Sequence, residues 1–348
     1  MGKPRVPHRT FLAFILPSIL AMLLFIATPI VSFAVQSLYI EHDKILVVSE
    51  TCQPLGGCVK ETRVDSEATA KLRHDHPLGK FNGFGIYQDH NHLAFADIGN
   101  IFAGNFGFYE TVARIYDLPF YRALVFTLTY ALTVTPLAMC LGFVIALAVN
   151  AVPKLLKGPV IFFSLLPMVV TPLIGSLVVY WMINADGILG AALQHITHNP
   201  NLSLKASPTM TWITLICYGV WINAPFSFIV FYSGLQTVPS DTMESAMIDG
   251  ASRLQRVRFV VLPTLMPLAV FVTLVQLMDN FRVLEPIIGF NAAANATSLS
   301  YSIYTALNNQ SAQMFSSAAA TSVLTITGVI ILLTPVLIKT AREFGFRT

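Results

Sequence analysis

The chain has 348 residues, of which 55% are hydrophobic and only 11% charged, with a formal net charge of +3. Soluble domains average about 25% charged residues, so an ordinary cytosolic enzyme and a disordered regulator are excluded. A nucleic-acid binder, which needs a concentrated basic face, is excluded as well.

A charge at mid-bilayer costs several kcal/mol, and a spanning helix needs about 20 mostly apolar residues. Six windows free of Asp, Glu, Lys and Arg meet that need: residues 10–40, 123–153, 158–185, 206–240, 259–278, and the apolar part, 317–338, of a longer uncharged stretch. The apolar runs are continuous rather than alternating, so they read as helices, which satisfy their own backbone in hydrocarbon. The expected fold is an all-α polytopic membrane protein with six transmembrane helices. Residues 1–40 hold the N-terminus and first span, 41–122 an outer loop, and 123–348 a five-helix core. The first span follows Lys3, Arg5 and Arg9, but its apolar stretch is too long for a cleaved signal and lacks a small-residue cleavage site.

The loop over 41–122 carries eleven of the eighteen acids and five of the eight histidines. It is long enough for a small extracytoplasmic subdomain, since a structureless connection of that length is unusual. Cys52 and Cys58 flank Gly56-Gly57; an oxidising exterior allows a disulfide, and the alternative is two free thiols. Cys140 and Cys217 fall inside spans as packing residues. His74 with His76 and His90 with His92 form two His-x-His pairs. Neither has neighbouring cysteines or firm ligand spacing, so a solvated polar loop is the reading and no metal site is assigned.

Basic residues in short loops set orientation. With the N-terminus inside, the cytoplasmic segments hold eleven basic residues (from Lys3, Lys154, Arg253 and Lys339 to Arg347) against four acids, Asp241, Glu244, Asp249 and Glu343. No phosphate-cradling Gly-x-x-x-x-Gly-Lys-Ser/Thr loop, His-Glu-x-x-His or Gly-x-Ser-x-Gly is present. The spans also lack the rows of intramembrane charge that ion-coupled pumps need. A transporter built this way takes its energy from another subunit.

The most informative stretch lies between the fourth and fifth spans, over 238–263. Pro239 suits a helix entry, and Asp241 with Glu244 has the spacing of a capping box. Gly250 suits a left-handed C-cap, and Ser252 begins a second helix bearing Arg253, Arg256 and Arg258. A plain connector on lipid headgroups is one reading. A docking element is the other, since the acids of the short helix would be repelled by anionic lipid.

These residues resemble the EAA motif of the permease subunits of ABC importers. Glu244-Ser245-Ala246, then Gly250, then Leu262-Pro263 match it, with Ser245 in place of the usual second Ala. The wider run from Gly234-Leu235-Gln236 through Ile248-Asp249-Gly250-Ala251-Ser252 is similar to the carbohydrate-uptake branch of type I importers. The resemblance covers the first span and roughly residue 105 onward, including Asp117-Leu118-Pro119-Phe120-Tyr121 and Trp221 with Pro225-Phe226. Phe126 stands where an Asn is usual, Gly289-Phe290-Asn291-Ala292-Ala293-Ala294 replaces a Gly-Gly-Pro turn, and the outer loop is extra. The resemblance implies that Glu244, Ser245, Ala246, Asp249 and Gly250 dock on a cytoplasmic ATPase. It further implies a second permease, two ATPase subunits holding ATP and Mg, an extracytoplasmic solute-binding protein, and no cofactor in this chain. The implied location is the bacterial inner membrane, with both termini in the cytoplasm.

A sugar-like solute needs polar and aromatic groups inside the membrane. Trp221 and Asn223 in the fourth span, and Gln276 and Asn280 on one face of the fifth, are the candidates, with interhelical hydrogen bonding as the other reading. Trp221 suits sugar stacking or an interfacial belt. Asp279, Arg282 and Glu285 recur every three residues, either as an exposed ion-pair ladder or with Arg282 meeting an anionic group on the solute. The leading expectation is therefore a sugar or sugar derivative. The rivals are another solute (a polyol phosphate, polyamine or anion) and, from a different class, a membrane-anchored sensor or assembly protein.

Overall fold

The computed structural model describes residues 8–42, 45–53, 57–76, 78–104, 106–199, 207–308 and 314–345. Lys3, Arg5 and Arg347 lie outside these. So do the side chains of Cys52 and Cys58. The chain divides into two compact units, Met1–Pro119 with Ser302–Thr325, and Phe120–Tyr301 with Ile326–Thr348.

The first unit opens with α1 (His8–Met22), a π-turn (Leu23–Ala27) and α2 (Thr28–Gln36). Together they make an apolar rod over Phe11–Gln36 that is long enough to cross a membrane, with no buried residue in its most apolar stretch. The π-turn ends two residues before Pro29, which lacks an N–H and would crowd the turn before it; the wider turn relieves both. Thr28 donates both its backbone N–H and, at 2.9 Å, its Oγ1 to the Leu23 carbonyl.

The extra loop is folded. Strand β1 (Tyr39–Ile40) pairs antiparallel with β4 (Lys80–Phe81), and β2 (Leu46–Gln53) pairs with β3 (Gly57–Val64) in a register that sets Cys52 directly opposite Cys58. α3 (Ser66–Asp75) starts where Asp65 Oδ1 accepts from Ala68 N at 2.9 Å. Short helices α4 (Gly85–Gln88), α5 (Phe95–Ala103) and α6 (Phe108–Asp117) follow. The four histidines of the two His-x-His pairs diverge. His74 faces Asp75, His76 stacks on His42, and His90 lies 2.8 Å from Asp97. His92 is only 1% exposed, so the reading of a solvated polar loop fails for it: its Nε2 meets the Ser317 carbonyl at 3.2 Å, inside the unit. Among the described residues no three potential ligands cluster as a metal site.

The second unit holds α7 (Pro119–Ala151), α8 (Lys154–Val169), α9 (Pro172–Ile183), α10 (Ile188–Thr197), α11 (Pro208–Leu235) and α12 (Ser240–Ile248). Next come α13 (Arg253–Arg256), a second π-turn (Val257–Val261) two residues ahead of Pro263, α14 (Leu262–Phe281) and α15 (Glu285–Gly289). α16 (Leu299–Asn308) and α17 (Phe315–Gly345) each begin in one unit and end in the other.

One expectation needs correction. The window at 158–185 is not a single straight span. α8 and α9 meet at 96°, because Val170 and Thr171 are extended ahead of Pro172. Among the described residues, five helices are long and apolar enough to cross a membrane, and the bent pair makes a sixth only if its halves count as one.

Helix association in lipid comes from close packing and hydrogen bonds rather than from the hydrophobic effect, so small residues sit at the contacts. Gly142 of α7 lies against α11: a Cβ there would stand 2.5 Å from Ser227 Cβ and 2.6 Å from Phe228 N. Gly289 of α15 abuts Ser176 and Leu173 of α9 in the same way. Two apolar clusters flank the middle of the unit. One is built on Phe126, Tyr218 and Phe290, the other on Phe228, Phe231 and Leu265.

Candidate functional site

The loop at 238–263 forms two helices and a sharp turn. The capping box expected at Asp241 and Glu244 is absent. Pro239, extended at φ −61° and ψ 128°, is itself the N-cap, so the helix starts two residues early and Asp241 falls within its first turn. There its carboxylate accepts from Ser240 Oγ at 3.2 Å. A capping box closes instead at the second helix. Ser252 N donates to Gln255 Oε1 at 2.7 Å and Gln255 N to Ser252 Oγ at 3.4 Å.

α12 ends in a Schellman turn, with Ala251 N bonded to Ala246 O at 2.9 Å and Gly250 at φ +78°. A Cβ at Gly250 would meet nothing, so conformation rather than space calls for glycine. Met243 packs on the Phe228 cluster and Ala246 is half-buried. Glu244, Ser245, Asp249 and Gly250 are exposed, and Ile248 is 87% exposed. α12 is thus a short rigid helix with one face tucked in and the other free.

The second feature is a cavity of about 520 Å³, lined by Tyr130, Val170, Pro172, Asn223, Asp279, Asn280, Arg282, Glu285 and Ser300, among others. The break between α8 and α9 forms part of its wall. Irregular backbone at membrane depth is tolerated where it lines such a cavity. Tyr218 Oη ties the break down by donating to the Pro172 carbonyl at 2.7 Å.

A polar seam runs behind the wall. Asn223 Nδ2 donates to Gly219 O at 2.8 Å and to Asn280 Oδ1 at 3.2 Å, and Asn280 Nδ2 donates to Thr135 Oγ1 at 3.0 Å. Gln276 Nε2 donates to Asn223 O at 3.0 Å and Ser227 Oγ at 2.7 Å. Of the residues picked from sequence, Asn223, Asn280 and Arg282 reach the cavity. Gln276 is buried behind it as interhelical glue, and Trp221 lies off the lining, half-exposed against Tyr218. Arg282 Nη2 is 2.7 Å from Asp279 Oδ1, with both side chains largely exposed.

Tyr130 and Thr135 do not stand out in the sequence, because a lone hydroxyl in an apolar run reads as packing. Their signal is the four-residue spacing of Phe126, Tyr130 and Val134, with Thr127 and Thr135 beside them, a face that is wholly buried. The segment that replaces the Gly-Gly-Pro turn is pinned closely. Asn291 sits at φ +47°, and the Asn295 and Ala294 carbonyls accept from Trp212 Nε1 and Arg122 Nη2, each at 3.0 Å.

Residues 135–340 match the family model for the inner membrane component of binding-protein-dependent transport systems. The chain belongs to that family. The matched region, more than half of the chain, contains both the α12 loop and most of the cavity wall. This family member is 29% identical over 174 residues to the probable ABC transporter permease protein YesP of Bacillus subtilis, a match covering 49% of this chain and 55% of YesP. It is 28% identical over 197 residues to the sn-glycerol-3-phosphate transport system permease protein UgpA of Yersinia enterocolitica, covering 54% and 63%. The chain thus spans roughly three-fifths of these relatives' length. A bacterial ABC transporter involved in import of the acidic polysaccharide alginate shares the fold, with a TM-score of 0.59 and 22% identity, over 80% of this chain and 96% of that one.

Proposed function

We propose that this chain is a transmembrane permease subunit of an ATP-driven ABC importer in the bacterial inner membrane. It translocates a sugar or sugar derivative handed over by a solute-binding protein. The observation that carries this reading is α12. It is a rigid, Schellman-capped helix with an exposed face of Glu244, Ser245, Asp249 and Ile248, in a family member whose described residues join it directly to the spans. Docked on an ATPase, such a helix passes a differential contact energy from the nucleotide cycle into rigid-body motion of the spans. The partners are a second permease and two ATPase subunits, which bind ATP and Mg; this chain supplies no cofactor site. The termini and α12 face the cytoplasm, as the basic residues at 154–157, 253–258 and 339–342 favour.

Glu244→Lys and Gly250→Pro each abolish uptake and uncouple ATPase stimulation in the reconstituted complex. Normal uptake by either variant refutes the assignment. A second reading, a phosphorylated or otherwise anionic solute, draws on Arg282 at the cavity and on the similarity to UgpA.

A further inference from the structure

The charges around the cavity narrow its solute. Among the described residues that line it, Asp279, Arg282 and Glu285 are the acid and base side chains. Arg282 is held by Asp279 at 2.7 Å, so that pair neutralises itself. The Glu285 carboxylate makes no ion pair among the described residues. Helix ends do not offset it. The N-termini of α9 (Pro172) and α15 (Glu285) reach the cavity, but so do the C-caps of α8 (Val170) and α14 (Arg282). The negative ends of these longer helices at least offset the positive ones, α15 being only five residues long. The cavity therefore carries about one negative charge.

The hydrogen-bonding capacity leans the same way. Both N–H groups of Asn223 are used, on Gly219 O and Asn280 Oδ1, so Asn223 offers the cavity only its Oδ1 acceptor. Asn280 has one N–H committed to Thr135. With the two carboxylates, the wall is rich in acceptors. A phosphate or carboxylate brings acceptors alone. Arg282 keeps other N–H groups beside the one on Asp279, but an anion that uses them sits next to the Asp279 and Glu285 carboxylates, and that repulsion offsets the gain.

We infer that this cavity selects hydroxylated solutes that are uncharged or carry an amine, and rejects phosphorylated and carboxylated ones. The inference rests on the reading of the cavity as the solute pathway. Hydroxyls and ammonium groups supply the donors that Asn223 Oδ1 and Glu285 lack.

The test uses the full-length chain in lipid nanodiscs and ligand-observed NMR with four probes: methyl glucoside, glucosamine, glucuronate and glucose 6-phosphate. Glucosamine binds at least as well as methyl glucoside, and the two anions bind roughly tenfold more weakly. Glu285→Gln brings glucosamine down to parity with methyl glucoside. Anions that bind as well as methyl glucoside, and lose binding in Arg282→Gln, overturn the inference while leaving the cavity as the pathway. A glucosamine advantage that survives Glu285→Gln overturns it too. If none of the four probes binds, the pathway reading itself fails and the inference falls with it. The ranking in the unsubstituted chain decides the matter even if a variant misfolds.

Discussion

Asn280→Leu removes a side chain that links three helices while keeping its volume. Two bonds are lost, to Thr135 Oγ1 of α7 and from Asn223 Nδ2 of α11, at 3.0 and 3.2 Å. Interhelical side-chain bonds in membranes average about 0.6 kcal/mol and reach about 1.7, so the two together are worth roughly 1–3 kcal/mol. Thr135 is 2% exposed, so water does not replace its lost partner, whereas Asn223 faces the cavity and regains one there, so the middle of that range applies. The assay is unfolding of the purified chain in detergent, followed by the fluorescence of its three tryptophans, for Asn280→Leu, Thr135→Val and the double variant. The cost of the double variant falls short of the sum of the singles by about 0.6–1.7 kcal/mol, because the second change removes a bond already gone. A double variant equal to the sum within about 0.3 kcal/mol refutes the claim that these two side chains share a bond.

Three further outcomes follow from the same geometry. Gly142→Val drives a side chain into Ser227 and the Phe228 backbone, pushes α7 from α11, and lowers the melting temperature by several degrees, whereas Gly158→Val, with nothing near its Cβ, leaves it unchanged. Ser252→Ala removes the capping box and costs about 1 kcal/mol at the start of α13, seen as faster amide exchange at Gln255 and its neighbours, with α12 unaffected. His92→Phe breaks the bond to the Ser317 carbonyl and forces a larger ring into a site that is 1% exposed, and limited proteolysis within residues 78–104 then speeds up severalfold.

Much of this protein was legible in its residues. Charge-free windows locate the long helices because the penalty for a charge in hydrocarbon acts on each residue separately. Gly250 and Pro239 mark the ends of α12 because left-handed caps and proline entries are local backbone chemistry. The capping box was misplaced by one helix for a related reason. Asp241 and Glu244 have the right spacing, but Pro239 already holds the N-cap position, while Ser252 and Gln255 meet both conditions. The bend at Val170–Thr171 was foreshadowed by Pro167 and Pro172, yet an apolar count alone passes over it.

Pairwise geometry was less legible. Gln276 and Asn280 share a helix face, yet one is consumed as interhelical glue and the other reaches the cavity, a difference set by where Asn223 and Ser227 stand on α11. Thr135 and Tyr130 gain meaning only once α7 is packed beside α11 and α14. What each segment is and which solvent it prefers can be read from the residues alone, because hydropathy, caps and turns are properties of neighbours along the chain. Which polar groups are used up in the seam, and which acceptors remain for a solute, follows from tertiary packing, because a hydrogen bond needs its partner within about 3 Å and the interhelical partners here lie 49 to 145 residues away.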